Sequence, residues 1–97
     1  MTYARVPTFK ISAQGIDAAI RHFEEVSLVQ LRKLPGLKGA TMLVSREKGL
    51  IRIVVYWDSR ETLDSSAETA KGLRAEFAAK LGAELLSLEE FEVAVQV

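Results

Sequence analysis

The chain has 97 residues, 48% of them hydrophobic and 27% charged, and its thirteen basic and thirteen acidic residues cancel. That length supports one hydrophobic core and no second, so residues 1–97 are expected to form a single domain. Balanced charge without a block of like charges excludes the footprint of a nucleic-acid binder or a polybasic membrane anchor, and the absence of cysteine excludes disulfides, thiolate metal sites and a cysteine nucleophile.

The opening MTYARVPTFK lacks the apolar core of a signal peptide, and no apolar run approaches the ~20 residues of a membrane span, which places the protein in the cytoplasm as an expectation. Tyr3 to Ile11 is β-favouring, with Val6, Phe9 and Ile11 among Thr8 and Lys10. Pro7 cannot donate to a ladder, so this strand must lie at an edge there, bulge, or turn that nitrogen away from a neighbour.

From Ile16 onward, Ile16, Ala19, Ile20, Phe23, Val26, Ser27 and Leu31 follow the spacing of a helix with one buried stripe, and Leu34-Pro35-Gly36 stops it. Ala40 to Val44 and Leu50 to Trp57 then flank Glu47-Lys48-Gly49, where Gly49 suits the positive φ of a short hairpin loop. On the second of these strands, parity sets Ile51, Ile53, Val55 and Trp57 on one face and Leu50, Arg52, Val54 and Tyr56 on the other. The first face calls for helices. The second mixes apolar residues with a charge and a phenol, and calls for a second subunit.

Asp58 and Ser59 are both good N-caps, and Asp58 with Glu61 has the spacing of a capping box. Leu63, Ala67, Ala70, Leu73, Phe77 and Leu81 trace a helical stripe ending at Gly82, with a kink or break expected between Ser66 and Gly72. The chain closes on a strand from Glu90 to Val97, where Phe91, Val93, Val95 and Val97 alternate with Glu90, Glu92 and Gln96. The order β-α-β-β-α-β is the ferredoxin-like α+β layout, a four-stranded antiparallel sheet with two helices on one face.

With the elements placed, Ala4-Arg5-Val6, Pro35-Gly36-Leu37-Lys38-Gly39, Glu47-Lys48-Gly49, Trp57-Asp58-Ser59 and the tail Glu90 to Val95 resemble, in order and spacing, the antibiotic biosynthesis monooxygenase-like family of dimeric α/β barrels. The resemblance implies a homodimer whose two sheets pack face to face into a barrel. It also implies one of the family's activities, which include cofactor-free oxygenation of polyketide quinone precursors and haem degradation. The haem-degrading kind uses an asparagine near the first strand, a hairpin tryptophan and a haem-ligating histidine on the second helix. This chain has no asparagine and no histidine in its second helical segment, so only Trp57 carries over and haem degradation is disfavoured.

Trp57 either walls a pocket between sheet and helices or fills the core. Phe9, Phe23 and Arg52 join it as candidate ligand-binding residues. His22, Tyr56 and Arg5 are the candidates for catalysis. A lone histidine can act as a base near neutral pH, yet no orienting carboxylate is evident for it. Tyr56, like Tyr3, either donates to a quinone-like ligand or sits at an interface. Arg5 and Arg52 either hold an anion or pair with acidic residues across the sheet or dimer. Glu90 and Glu92 fall on one side of their strand without a histidine, which favours a solvated or interface face over a metal site. Gly36 and Gly39 precede a strand rather than a helix and lack the P-loop lysine, so they make no phosphate loop.

The expectation is therefore a homodimeric ferredoxin-like domain that binds a hydrophobic or aromatic small molecule near Trp57, without metal or cofactor, either as a cofactor-independent monooxygenase or as a non-catalytic dimerising or ligand-sensing module.

Overall fold

The computed structural model describes all of residues 1–97. The elements run β1 (Tyr3–Lys10), α1 (Ile16–His22), a π-helical turn (Phe23–Ser27), α2 (Leu28–Leu31), β2 (Leu37–Ser45), β3 (Leu50–Trp57), α3 (Arg60–Ser65), α4 (Ala67–Leu81) and β4 (Glu84–Glu92). The four strands form one antiparallel sheet in the order β2-β3-β1-β4, the ferredoxin-like arrangement.

The β2–β3 hairpin closes at Gly49, whose φ is +66°. Its carbonyl accepts from the N–H of Ile11 at 2.9 Å, which ties the turn to the end of β1. A side chain here would place Cβ 2.5 Å from the Ile11 carbonyl oxygen, so the turn needs glycine for space as well as for conformation. Pro7 lies in a central strand rather than at an edge. Register is kept from Arg5↔Val55 to Thr8↔Arg52, but Val6 and Pro7 have no paired partners on β3, as a residue without an N–H dictates.

Two expectations about the second half are corrected. The capping box sits one residue later than the Asp58/Glu61 spacing suggested: Ser59 is the N-cap, its Oγ accepts from the Thr62 N–H at 3.2 Å, and the Ser59 N–H donates to Thr62 Oγ1 at 3.3 Å. Asp58 instead accepts from Thr62 Oγ1 at 2.8 Å. The last strand is Glu84–Glu92, and residues 93–97 lie beyond it. Register slips between Thr8 and Phe9 of β1, so Leu86 of β4 is left without a partner. That bulge breaks the parity by which the strand could have been recognised. The helical break falls at Ser66, inside the expected stretch, and Gly82 ends α4 with φ +63°.

Pairing carries the parity of β3 across the sheet. Tyr3, Arg5 and Phe9 stand opposite Trp57, Val55 and Ile51 and share their face. The helices cover this face, and the core there joins Phe9, Ile16, Ala19, Phe23, Leu31, Ile51, Ile53, Val55, Trp57, Leu63 and Phe77. The other face has no helix. Its centre, Ala4, Val6 and Thr8, is nevertheless buried, while its flanks keep Leu43 and Phe91 about half exposed, at 51% and 49%.

Candidate functional site

The feature that gathers functional side chains lies between the helical face of the sheet and the helices. It is a cavity of about 40 Å³ walled by Phe9, Ile53, Val55 and Trp57 from the sheet, Phe23, Ser27 and Leu31 from the first helical segment, and Ala70, Leu73, Arg74 and Phe77 from α4, with Arg5 and Pro7 completing it. That volume holds two or three waters. The π-helical turn shapes one wall, since its wider turn brings Phe23, Ser27 and Leu31 inward together, all three buried. Phe9 and Phe77 form a tilted aromatic pair with centroids 4.8 Å apart.

Trp57 is fully buried, and its indole Nε1 has no hydrogen-bond partner. A buried donor left unpaired costs about 1–3 kcal/mol, so its position on the wall of a cavity is the unusual feature of the site. Both readings of Trp57 thus meet in one residue: it fills core with its ring and borders the cavity.

Arg5 is 4% exposed and fully engaged. Its guanidinium donates to Glu90 Oε2 at 3.2 Å, to Ser66 Oγ at 3.0 Å and to the Leu63 carbonyl at 2.7 Å. It therefore pairs across the sheet, as one of the two sequence-based alternatives had it, and its side chain fastens β1 to β4 and to the α3–α4 junction. Glu90 is an ion-pair partner rather than a merely solvated residue: its Oε2 faces Arg5, and its Oε1 lies 3.6 Å from Arg60. Arg74, half-buried on the cavity wall, forms no ion pair. Burial, and then the neighbouring Arg5 charge, lower its pKa below the usual arginine value, with Glu90 acting in the opposite direction.

The remaining sequence candidates disperse. Arg52 and Tyr56 stand on the helix-free face, where Arg52 donates to Thr8 Oγ1 at 3.0 Å. His22 is half-buried behind Phe77, with ring centroids 5.9 Å apart, and does not line the cavity. Its Nε2 is covered and unpartnered. Of the residues singled out from the sequence, the structure brings together Trp57, Phe9, Phe23 and Arg5. It adds Ser27, Phe77 and Arg74, which sequence reading had taken as stripe residues or passed over. The available signal for Arg74 was its i, i+3 spacing to Phe77 on α4.

No protein-family model matches the chain. Among curated proteins it is 29% identical over 94 residues to the uncharacterized protein Rv2557 of Mycobacterium tuberculosis, covering 97% of this chain and 42% of that one. The chain thus spans about two-fifths of the length of the curated relatives it matches. Solved structures define the class. The chain superposes on the haem-degrader MhuD of Mycobacterium tuberculosis, determined with two haems bound (TM-score 0.76, 23% identity, 98% of each chain). It superposes equally on a monooxygenase of Streptomyces coelicolor, ActVA-Orf6, in complex with nanaomycin D (TM-score 0.75, 15% identity, 98% of this chain and 89% of that one). A dimeric ferredoxin-like protein from an uncultured marine organism matches with TM-score 0.75 and 13% identity over 99% of this chain and 98% of that one. The chain shares the ferredoxin-like fold of these structures, as its element order led one to expect. No helix is long and apolar enough to cross a membrane.

Proposed function

We propose that this chain binds a hydrophobic or aromatic small molecule in the cavity beside Trp57, as a monooxygenase-like protein acting as a homodimer. The observation that carries the reading is that Trp57, whose buried Nε1 has no partner, lines a mostly apolar cavity, since a ligand oxygen within reach of that donor would supply the missing acceptor. An aromatic ligand exceeds the present volume, so it enters by displacing side chains on the side where Leu73 and Arg74 are only half-buried. The fold shared with a monooxygenase supports oxygenation as the reaction, although fold alone does not assign chemistry.

A second reading, a ligand-sensing module without catalysis, is favoured by the composition of the wall. Arg5, Ser27, Trp57 and Arg74 supply its polar atoms, and no carboxylate, histidine or tyrosine lines it to take a proton from an activated carbon. Oxygen uptake in the presence of anthrone, whose CH₂ needs only to lose a proton before reacting with O₂, separates the two. Uptake that is abolished in Trp57→Phe supports the oxygenase. Trp57-dependent binding of anthrone without oxygen uptake supports the sensor.

The dimer reading rests on the helix-free face. Leu43 and Phe91 are exposed there on the two outer strands, and a second copy of the same face would cover them, giving an isologous contact.

A further inference from the structure

We propose that the cavity beside Trp57 takes an aromatic anion, its ring among Phe9, Phe77 and Trp57 and its carboxylate or enolate paired with Arg74. This inference rests on the reading of the cavity as a ligand site and specifies the ligand's charge.

The first support is a local imbalance of charge in a chain whose net charge is zero. Arg5, Arg60 and Arg74 surround Glu90, and the one further carboxylate paired with this group, Asp64, lies 3.4 Å from Arg60, so three arginines share two carboxylates. Both oxygens of Glu90 are taken, Oε2 by Arg5 and Oε1 by Arg60. Arg5 is already committed, since its Nε and both terminal nitrogens donate to Glu90, Ser66 and the Leu63 carbonyl. Arg74 is left as a half-buried guanidinium on the cavity wall, near Glu90 but with no ion pair of its own. A half-buried cation is partly desolvated, and an anion delivered to it recovers that cost through charge-assisted hydrogen bonds.

The second support is independent of charge. Trp57, a residue of the same wall, has in its buried Nε1 a donor that lacks a partner, and the arginine nitrogens are donors too. No carboxylate side chain lines the cavity to repel an anion. Donors at two points of an apolar, aromatic-walled space specify a flat molecule bearing acceptor oxygens, at least one of them charged.

The chain has one tryptophan, so its indole N–H gives a single resonance, and that resonance reports on the cavity. The uniformly ¹⁵N-labelled protein is titrated with 1-naphthoate and, separately, with its methyl ester, which keeps the ring and the carbonyl but not the charge. Naphthoate is expected to shift the Trp57 indole signal and to bind about tenfold more tightly than the ester, as a charge-assisted bond predicts. That advantage should shrink as salt is raised, disappear in Arg74→Gln and survive in part in Arg74→Lys. Equal binding of acid and ester, an advantage insensitive to salt, or one that persists in Arg74→Gln overturns the anion assignment while leaving the ligand site standing. If neither compound perturbs Trp57, the ligand-site reading falls with it.

Discussion

Trp57 and Arg5 show how one side chain can serve fold and site together. Trp57 fills the end of the core with its ring, and truncation to alanine is expected to cost on the order of 3–5 kcal/mol in urea denaturation. Trp57→Phe keeps most of that ring and removes only the donor, so it should remain folded and lose the affinity that a hydrogen bond from Nε1 supplies. Arg5 is structural by its contacts: three donors are satisfied by three different elements. Arg5→Ala should destabilise by about 3 kcal/mol, because it removes the three hydrogen bonds by which a buried guanidinium holds Glu90, Ser66 and Leu63. Arg74 has the opposite sign. Its pKa is lowered in the fold, so its charge opposes folding at every pH below the titration of arginine, and only strongly alkaline solution relieves that cost. Arg74→Gln is therefore expected to raise stability slightly, by no more than about 0.5 kcal/mol once solvent screening of this half-exposed group is allowed for, read as a small rise in the thermal midpoint. A residue that weakens the fold yet lines the cavity is what a ligand-binding role would leave behind.

At the level of elements, the hairpin turn and the π-helical turn do different work. Gly49 holds the β2–β3 turn against the end of β1, and any β-carbon there meets the Ile11 carbonyl. Gly49→Ala should cost about 1–3 kcal/mol, visible as a lower urea midpoint with an unchanged slope. The hairpin was legible because its signals are local: two apolar runs, a glycine at the turn and strict parity on β3. The π turn was not, since the sequence 16–31 carries an ordinary helical stripe and the extra residue is absorbed only where Phe23, Ser27 and Leu31 pack against the sheet. The capping box shows the same limit on a smaller scale. Asp58-x-x-Glu61 and Ser59-x-x-Thr62 are both plausible spacings, and the one in which the two side chains reciprocate sets the helix start.

For the whole molecule, the sheet has one face finished by its own helices and one left without them. Light scattering coupled to size-exclusion chromatography should find a dimer at micromolar concentration, and replacing Leu43 or Phe91 by glutamate should shift it to monomer, since a charge on each of two facing copies would be both buried and repelled. A wild-type monomer would refute the barrel.

The sequence by itself determined the element order, the hairpin, the apolar face of β3 and, through its motifs, the fold, because each depends on patterns a few residues long. Tertiary structure decided what depends on register between distant strands. Pairing of Arg5 with Val55 and Glu90 turned Arg5 inward to the face of Trp57, opposite the face to which parity had already assigned Arg52 and Tyr56. The bulge at Leu86 hid the true β4, and of the alternating tail only the part up to Glu92 joined the ladder, residues 93–97 lying beyond it. Arg74 became a candidate only when helix and sheet were brought together, for an unpaired charge is defined by what surrounds it and not by its neighbours in sequence.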